Sequence, residues 1–171
     1  EHVDTDLAES ISALKDAFTR SGSEHKLGRA APELIAALKE KLKLPRRYRT
    51  FLLDHDPLDV EVATPTERVR LLSSAELEKE QLGFALADDG ARVSGPTVSG
   101  WRPSWIIIGH SGLLGDPYFL DVSDVDNEGD CPVYTAMSGT EQWQPRLCAA
   151  SFATFLRILA ISLDVARGFD I

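Results

Sequence analysis

Residues 105–122, WIIIGHSGLLGDPYFLDV, decide the fold of this 171-residue chain. Residues 105–108 are apolar at every position, which predicts a central strand that is covered on both faces. Residues 118–122 predict a second strand, and the segment between the two contains Gly109, Gly112 and Gly115. Because glycine adopts a positive φ at no steric cost, we expect these glycines to form a tight connection between the strands.

Two further strands follow toward the C-terminus. Residues 133–136 and 143–148 predict a hairpin whose turn lies near Gly139. This pairing places Cys131 opposite Cys148. Since cross-strand cysteines rarely have the geometry of an unstrained disulfide, we expect two neighbouring reduced thiols.

Helices are predicted at both ends of the chain. Apolar residues at helical spacing follow a capping residue at position 4 or 5, and Gly22 ends that helix. Two more helices begin near Pro32 and after Pro45. A closing helix begins at Ser151, and its phenylalanines and leucines form a core-facing stripe.

The intervening segments complete the predicted architecture. Residues 58–62 and 69–72 predict short strands, and a helix follows to about residue 82. The polar segments 22–29 and 88–104 are expected to be loops. The chain is therefore predicted to be a single α+β domain over residues 1–171, with a mostly antiparallel or mixed central β-sheet, N-terminal helices and a C-terminal helix packed on that sheet.

Charge is the strongest surface signal in the sequence. The chain carries a net charge of −9, and no Lys or Arg stands between Arg102 and Arg146. A single-sign surface of this kind attracts oppositely charged partners. It argues against direct nucleic-acid binding, which requires a basic surface, and against docking on an anionic membrane.

The sequence also bears on the compartment. The longest apolar run is far shorter than a membrane span, and the polar, acidic first residues show no signal-peptide pattern. Two cysteines are too few for a disulfide scaffold and fit a reducing compartment. We therefore expect a cytoplasmic protein.

Two motifs imitate functional sites without completing them. The run from Gly109 to Leu113 imitates the Gly-x-Ser-x-Gly turn of serine hydrolases, but its last glycine is missing and all four histidines precede Ser111. The acidic run from Asp124 imitates a calcium loop, but Thr135 stands where the bidentate glutamate is required. A weak cation site and a solvated acidic loop are both open for that run, but we expect no enzyme, catalytic residue, metal site or cofactor.

Three stretches share their order and spacing with a known family. They are Leu44-Pro45-x-x-Tyr48-x-x-Phe51-Leu52, then Trp105-x-x-Ile108-Gly109-x-x-Gly112-x-x-Gly115-Asp116-x-x-Phe119-x-Asp121 with Gly129-x-Cys131-Pro132-Val133-Tyr134, and Ser151-Phe152-x-x-Phe155-Leu156. The chain resembles the SUKH superfamily, which is named partly for a yeast cell-wall-assembly regulator. The resemblance covers roughly residues 33–160, so residues 1–22 are expected to be a helical addition.

The resemblance implies a non-enzymatic binding protein. Many bacterial members look like immunity proteins that neutralise a toxin, often a nuclease with a basic groove, by stoichiometric binding; the alternative is an intracellular regulatory or scaffold protein like the eukaryotic members. The family-motif residues expected to be structural are Trp105, Gly109, Gly112, Gly115 and Phe119. The candidate contacts to a basic protein partner are Asp116, Asp121, Asp124, Asp126, Glu128, Asp130, Trp101 and Tyr118. For Trp101 and Tyr118 a core position is equally open. The oligomeric state is left open.

Overall fold

The computed structural model describes residues 4–22, 25–97 and 99–168. Within them, the helices are α1 (Thr5–Ser21), α2 (Pro32–Leu42), α3 (Arg46–His55), α4 (Ser74–Glu80) and α5 (Phe152–Gly168). The strands are β1 (Lys26–Gly28), β2 (Asp56–Leu58), β3 (Val60–Ala63), β4 (Arg68–Leu71), β5 (Trp105–Ser111), β6 (Pro117–Asp121), β7 (Val133–Thr135) and β8 (Arg146–Ala149).

The central sheet is a six-stranded antiparallel meander. Its order is β3-β4-β5-β6-β7-β8, so each strand pairs with its neighbour in sequence. The two strands of residues 105–122 occupy the middle of this sheet, as their apolar composition predicts. The α+β architecture is confirmed.

One face of the sheet is covered by α5, and α1 packs against α5. Phe155 of α5 lies against Tyr118 of β6, with ring centroids 5.8 Å apart. The side chain of Asp4 caps α1 by accepting a hydrogen bond from the Leu7 N–H, and Gly22 ends that helix in a left-handed conformation. Arg20 of α1 forms an ion pair with Asp164 of α5, so the two helices pack as one layer.

The opposite face of the sheet carries an aromatic cluster. Side chains alternate between faces along a strand, so Phe119 points away from its neighbour Tyr118. Its ring lies 4.8 Å from the Trp101 ring and 5.0 Å from the Trp105 ring. The core positions predicted for Trp105 and Phe119 are confirmed, since both are buried.

A glutamine side chain continues the sheet where β4 stops. Gln81 follows α4 and is completely buried. Its side chain donates to the Ile107 carbonyl at 2.8 Å and accepts from the Ile107 N–H at 2.8 Å. Its amide group therefore replaces the peptide of a neighbouring strand and satisfies both backbone groups of Ile107.

Several local expectations were wrong. Part of the predicted loop at residues 22–29 forms β1, which pairs with β2, and Leu58 belongs to that small sheet and is 43% exposed. Cys131 does not lie opposite Cys148, because a register shift between β7 and β8 leaves Cys148 unpaired while Cys131 precedes β7. Both cysteines are free thiols.

The three motif glycines serve different purposes. Only Gly115 has a positive φ, of 72°. Gly109 is needed for close packing, because a Cβ there would lie 2.7 Å from the Arg70 carbonyl oxygen. A Cβ at Gly112 would lie 3.3 Å from the Arg68 carbonyl oxygen. The expectation of positive φ is thus wrong for two of the three.

Candidate functional site

The acidic loop, residues 121–130, follows β6 and leads back to β7. Asp126 fixes its shape, because its Oδ1 accepts hydrogen bonds from the Glu128 N–H at 2.8 Å and the Asp130 N–H at 3.0 Å. The Asp126 N–H in turn donates to the Asp130 carbonyl at 2.8 Å. At the start of the loop, Asp121 accepts hydrogen bonds from the N–H and the hydroxyl of Ser123.

The last aspartate of the loop is a buried structural group. Asp130 is 0% exposed. Its Oδ1 accepts from the Cys131 N–H at 2.7 Å and the Phe152 N–H at 2.6 Å, and its Oδ2 accepts from the Ala153 N–H at 3.2 Å. Asp130 thereby supplies the acceptors for free N–H groups at the start of α5, where a negative charge is also favoured by the helix dipole.

Two arginines at the start of α3 hold the acidic loop against α1. Arg47 is 5% exposed, and its guanidinium reaches Asp4 at 2.6 Å, Asp6 at 3.0 Å and Asp130 at 3.2 Å. Arg46 donates to the Glu128 carbonyl and pairs with Asp4. We call these two residues the arginine clamp. The clamp joins the start of α1 to the acidic loop.

The ion pairs of the arginine clamp shift the pKa values of Arg47 and Asp4. Burial lowers the pKa of Arg47, but its hydrogen bonds to Asp4 and Asp130 outweigh burial and raise that pKa above its ordinary value. Burial raises the pKa of Asp4, yet the Leu7 N–H and the two arginines outweigh it, so that pKa lies below its ordinary value. Both groups are therefore charged at neutral pH.

Gly129 allows the loop to approach the clamp. It has a φ of 73°, and a Cβ at this position would lie 2.9 Å from the Arg46 Cβ. Its carbonyl accepts a hydrogen bond from the Arg47 N–H at 3.0 Å. The backbone of the loop is thus seated directly on the start of α3.

The outer side of the acidic loop remains strongly negative. Asp124, Asp126 and Glu128 are exposed, and Asp121 is half-buried. Val125, among them, is 45% exposed. The arginine clamp offsets the charge beneath the loop and reaches Glu128 at 3.9 Å, and residues 103–145 themselves contain no lysine or arginine.

Four of the candidate contact residues do not belong to the outer side of the acidic loop. Trp101 is 1% exposed within the aromatic cluster and Asp130 is fully buried, so neither is accessible to a partner, which corrects the expectation for both. Asp116 lies at the other end of β6, where its side chain accepts a hydrogen bond from the Ser138 N–H at 2.8 Å. Tyr118 is half-buried and donates to Glu67 at 2.5 Å.

The motif around Ser111 has no hydrolase geometry. Ser111 is 3% exposed, and its Oγ accepts a hydrogen bond from the Leu114 N–H at 3.3 Å. β5 leads through this turn into β6, so no helix follows the serine. The neighbouring His110 points to Glu80, with 2.9 Å between Nε2 and Oε1. Among the residues that the structure describes, no group of three or more His, Cys, Asp or Glu is placed to hold a metal ion.

Sequence reasoning missed the arginine clamp. From the sequence, the run of basic residues in α2 and α3 is typical of a solvated helix face, yet Arg47 is buried. Its partners lie about 40 residues before it and 83 residues after it, so no local pattern indicates the pairing. One feature of the sequence could have indicated the clamp, namely the excess of acidic residues after Arg102. If one of these carboxylates is buried, it requires a basic partner from elsewhere in the chain.

Comparison with known proteins assigns the family. No described helix of the chain has the length and apolar character to cross a membrane. No curated protein matches the sequence. The model of the SMI1 / KNR4 family (SUKH-1) matches residues 29–158, a range that contains the central sheet, the arginine clamp and the acidic loop. The chain therefore belongs to the SMI1 / KNR4 family (SUKH-1).

Proposed function

We propose that this protein is a non-enzymatic immunity protein that neutralises a basic toxin domain by stoichiometric binding through the acidic loop. The observation that carries the proposal is the negative surface formed by Asp121, Asp124, Asp126 and Glu128. Glu128 lies 3.9 Å from Arg47, and the charges of the other three are not paired with a Lys or Arg in any ion pair of the described residues. Family membership supports a binding role of this kind. The proposed site of action is the cytoplasm, and the proposed binding requires no cofactor.

Charge complementarity supports a basic partner. A toxin that acts on nucleic acid needs a positive groove, because phosphate binding depends on Lys and Arg. Complementary charge raises association rates well above the rates of neutral partners, and this advantage declines as salt screens the field. Fast association suits an inhibitor that has to capture its toxin before the toxin reaches its substrate.

The fixed shape of the acidic loop supports tight binding. The loop is held by hydrogen bonds of Asp126, by the Gly129 carbonyl and by the arginine clamp. A preorganised loop loses less conformational entropy on binding than a mobile one does. We further propose that residues 1–22 are an addition to the family domain, and that Asp4 and Asp6 of this addition complete the clamp.

The kinetic test reverses charge on the outer side of the loop. The double variant Asp124→Lys/Glu128→Lys leaves Asp126 and the Arg47 pairs with Asp4 and Asp130 in place, and it removes only the longest contact of Arg47, 3.9 Å to Glu128. With the toxin domain encoded by the neighbouring gene as the probe, we expect association at least about tenfold slower at low salt, with a weaker salt dependence. The matched control is Glu40→Lys/Glu141→Lys, which makes the same charge change at two exposed positions outside the loop. Equal association rates for both variants and the parent would refute the acidic loop as the contact.

A genetic test separates the proposal from the regulatory or scaffold alternative. Under the proposal, deletion of the gene inhibits growth only when the neighbouring toxin gene is intact, because the immunity protein has no other task. Under the alternative, deletion has the same effect whether or not that neighbour is present. The second result would reject toxin neutralisation.

A further inference from the structure

The face of the sheet that carries the aromatic cluster is open on its β7–β8 side. Tyr134 of β7 is the Cα partner of both Phe119 of β6 and Leu147 of β8, so the three side chains form one row across this face. Trp101 covers the row at Phe119, which is 0% exposed, whereas Tyr134 is half-buried and Leu147 is 61% exposed. We call Tyr134 and Leu147 the β7–β8 ledge.

Tyr134 is a fixed aromatic side chain with a polar end in solvent. Its side chain packs against the core, and its ring lies 6.0 Å from the Phe119 ring. The described residues bury two side-chain polar atoms without a hydrogen-bond partner, and the Tyr134 hydroxyl is neither of them. Since no described group bonds to that hydroxyl, it faces solvent. Amphipathic aromatic side chains of this kind are common anchors of protein interfaces.

The ledge adjoins the first carboxylate of the acidic loop. Asp121 stands two residues after Phe119 on β6, so its side chain points to the same face of the sheet. Asp121 is therefore a diagonal neighbour of Tyr134, about 7–8 Å away. Its Oδ1 accepts both hydrogen bonds from Ser123, whereas its Oδ2 forms no hydrogen bond or ion pair with any described residue. An unpaired carboxylate oxygen thus lies beside an exposed apolar surface.

This combination selects the chemistry of the occupant. A purely apolar group on the ledge would desolvate the Asp121 carboxylate without giving it a partner, which is unfavourable. An ammonium group pairs with a carboxylate, but it is strongly hydrated and has no flat face. A guanidinium stacks one face on an aromatic ring and donates from its edge to a carboxylate. An arginine side chain therefore satisfies both Tyr134 and Asp121.

We propose that the β7–β8 ledge and Asp121 together bind one arginine of the basic partner. This inference rests on the proposed function, and it extends the contact from the acidic loop onto the open face of the sheet. The two parts of the contact act at different stages. The field of the acidic loop speeds the approach of the partner, whereas the stacked arginine slows its dissociation, because short-range packing acts only after contact.

Dissociation kinetics test the ledge separately from the acidic loop. With the toxin domain encoded by the neighbouring gene as the probe, we expect Tyr134→Leu to raise the dissociation rate at least about tenfold and Leu147→Ala about threefold. Both variants should keep the low-salt association rate within about twofold of the parent, because neither changes a charge. Tyr134→Phe keeps the ring, so its dissociation rate should stay within about threefold of the parent rate.

The matched control for Leu147→Ala is Leu114→Ala. Leu114 lies outside the ledge at the tip of the β5–β6 hairpin and is 66% exposed, close to the 61% of Leu147. We expect its substitution to leave both rates unchanged. Thermal unfolding verifies that every variant is folded, and the exposed position of Leu147 keeps the test valid if Tyr134→Leu is unstable.

A double-mutant cycle tests whether one arginine contacts both groups. The combined effect of Asp121→Asn and Tyr134→Leu on the dissociation constant should be at least about fivefold smaller than the product of the single effects. Independent effects, an equal loss for Tyr134→Phe and Tyr134→Leu, or parent dissociation rates in both ledge variants would overturn the ledge and leave the kinetic test of the acidic loop unaffected. A toxin domain that does not bind the parent overturns the proposed function, and the ledge with it.

Discussion

Replacing Asp130 by asparagine isolates the contribution of one buried charge. The substitution preserves the size of the side chain, so any effect arises from hydrogen bonding and charge. The four donors that face this carboxylate are the N–H groups of Cys131, Phe152 and Ala153 and a guanidinium nitrogen of Arg47. An asparagine presents one acceptor oxygen and one NH₂ group, and in either orientation that NH₂ group faces two other donors.

The expected loss follows from that geometry. Two hydrogen bonds disappear, one of them to a charged group in the orientation that turns the NH₂ group toward Arg47. The buried guanidinium then retains Asp4, Asp6 and, at 3.9 Å, Glu128 as counter-charges. Removing one partner of a buried charged pair costs about 3–5 kcal/mol when nothing replaces it. Because other carboxylates remain near Arg47, we expect the free energy of unfolding to fall by about 3 kcal/mol and the Tm by about 9 °C.

Urea denaturation followed by circular dichroism measures this loss. The control is Asp124→Asn, the same chemical change at an exposed position of the acidic loop, for which we expect a change within about 0.5 kcal/mol. A loss below about 1 kcal/mol for Asp130→Asn, or an equal loss for both variants, would refute the structural role assigned to the buried carboxylate. A double-mutant cycle with Arg47→Met then separates the ion pair from the bonds to α5.

Three further predictions concern the loop, the pH dependence and the thiols. Gly129→Ala should destabilise the protein by about 1 kcal/mol more than Gly115→Ala. Both positions have a positive φ, but only Gly129 lacks room for a Cβ. Thermal unfolding of the two variants measures the difference, and equal losses of stability would contradict the packing argument. The pKa of Asp4 is lower in the folded state than in the unfolded state. The ionised carboxylate therefore stabilises the fold above its ordinary pKa of about 3.9, and this stabilisation is lost as the pH falls through the folded-state pKa. Asp4→Asn should flatten the decline of the urea midpoint below about pH 4, and an unchanged decline would count against this role of Asp4. In unfolded, non-reduced protein a thiol reagent should label both cysteines, whereas labelling of neither would disprove free thiols.

The fold was largely predictable because its main elements have strong periodic patterns. The apolar run at residues 105–108 and the stripe of α5 each indicate one element type, and the structure confirms both. The short strand β1 was missed because Lys26–Gly28 has no alternating pattern, and the backbone hydrogen bonds of β2 hold it in place. The shifted register at Cys148 depends on a bulge between β7 and β8, which the turn position alone does not reveal.

The candidate site was predictable in charge but not in geometry. The excess of acidic residues after Arg102 correctly located the acidic loop. On charge alone, however, Asp130 could not be distinguished from the exposed carboxylates. Burial separates them, because Asp130 has to accept the N–H groups at the start of α5 while Asp124 faces solvent. Trp101 was open to either interpretation from sequence, since an aromatic residue in a polar segment fits a rim or a core. Its position against Phe119 and Trp105 is set by contacts with the sheet that sequence spacing does not encode.

The pair of hydrogen bonds between Gln81 and Ile107 bears on where this chain tolerates extra length. These hydrogen bonds fasten residue 81 to residue 107, so Ile107 of β5 stays anchored when the exposed part of the chain between them grows longer. The exposed turn at Asp88 and Asp89 lies within that closed segment. Because closing a longer loop costs only about 0.6 kcal/mol for each doubling of its length, a peptide tag inserted at this turn should leave the sheet and the acidic loop in place. The turn is thus a suitable attachment point for a label in binding assays of the acidic loop.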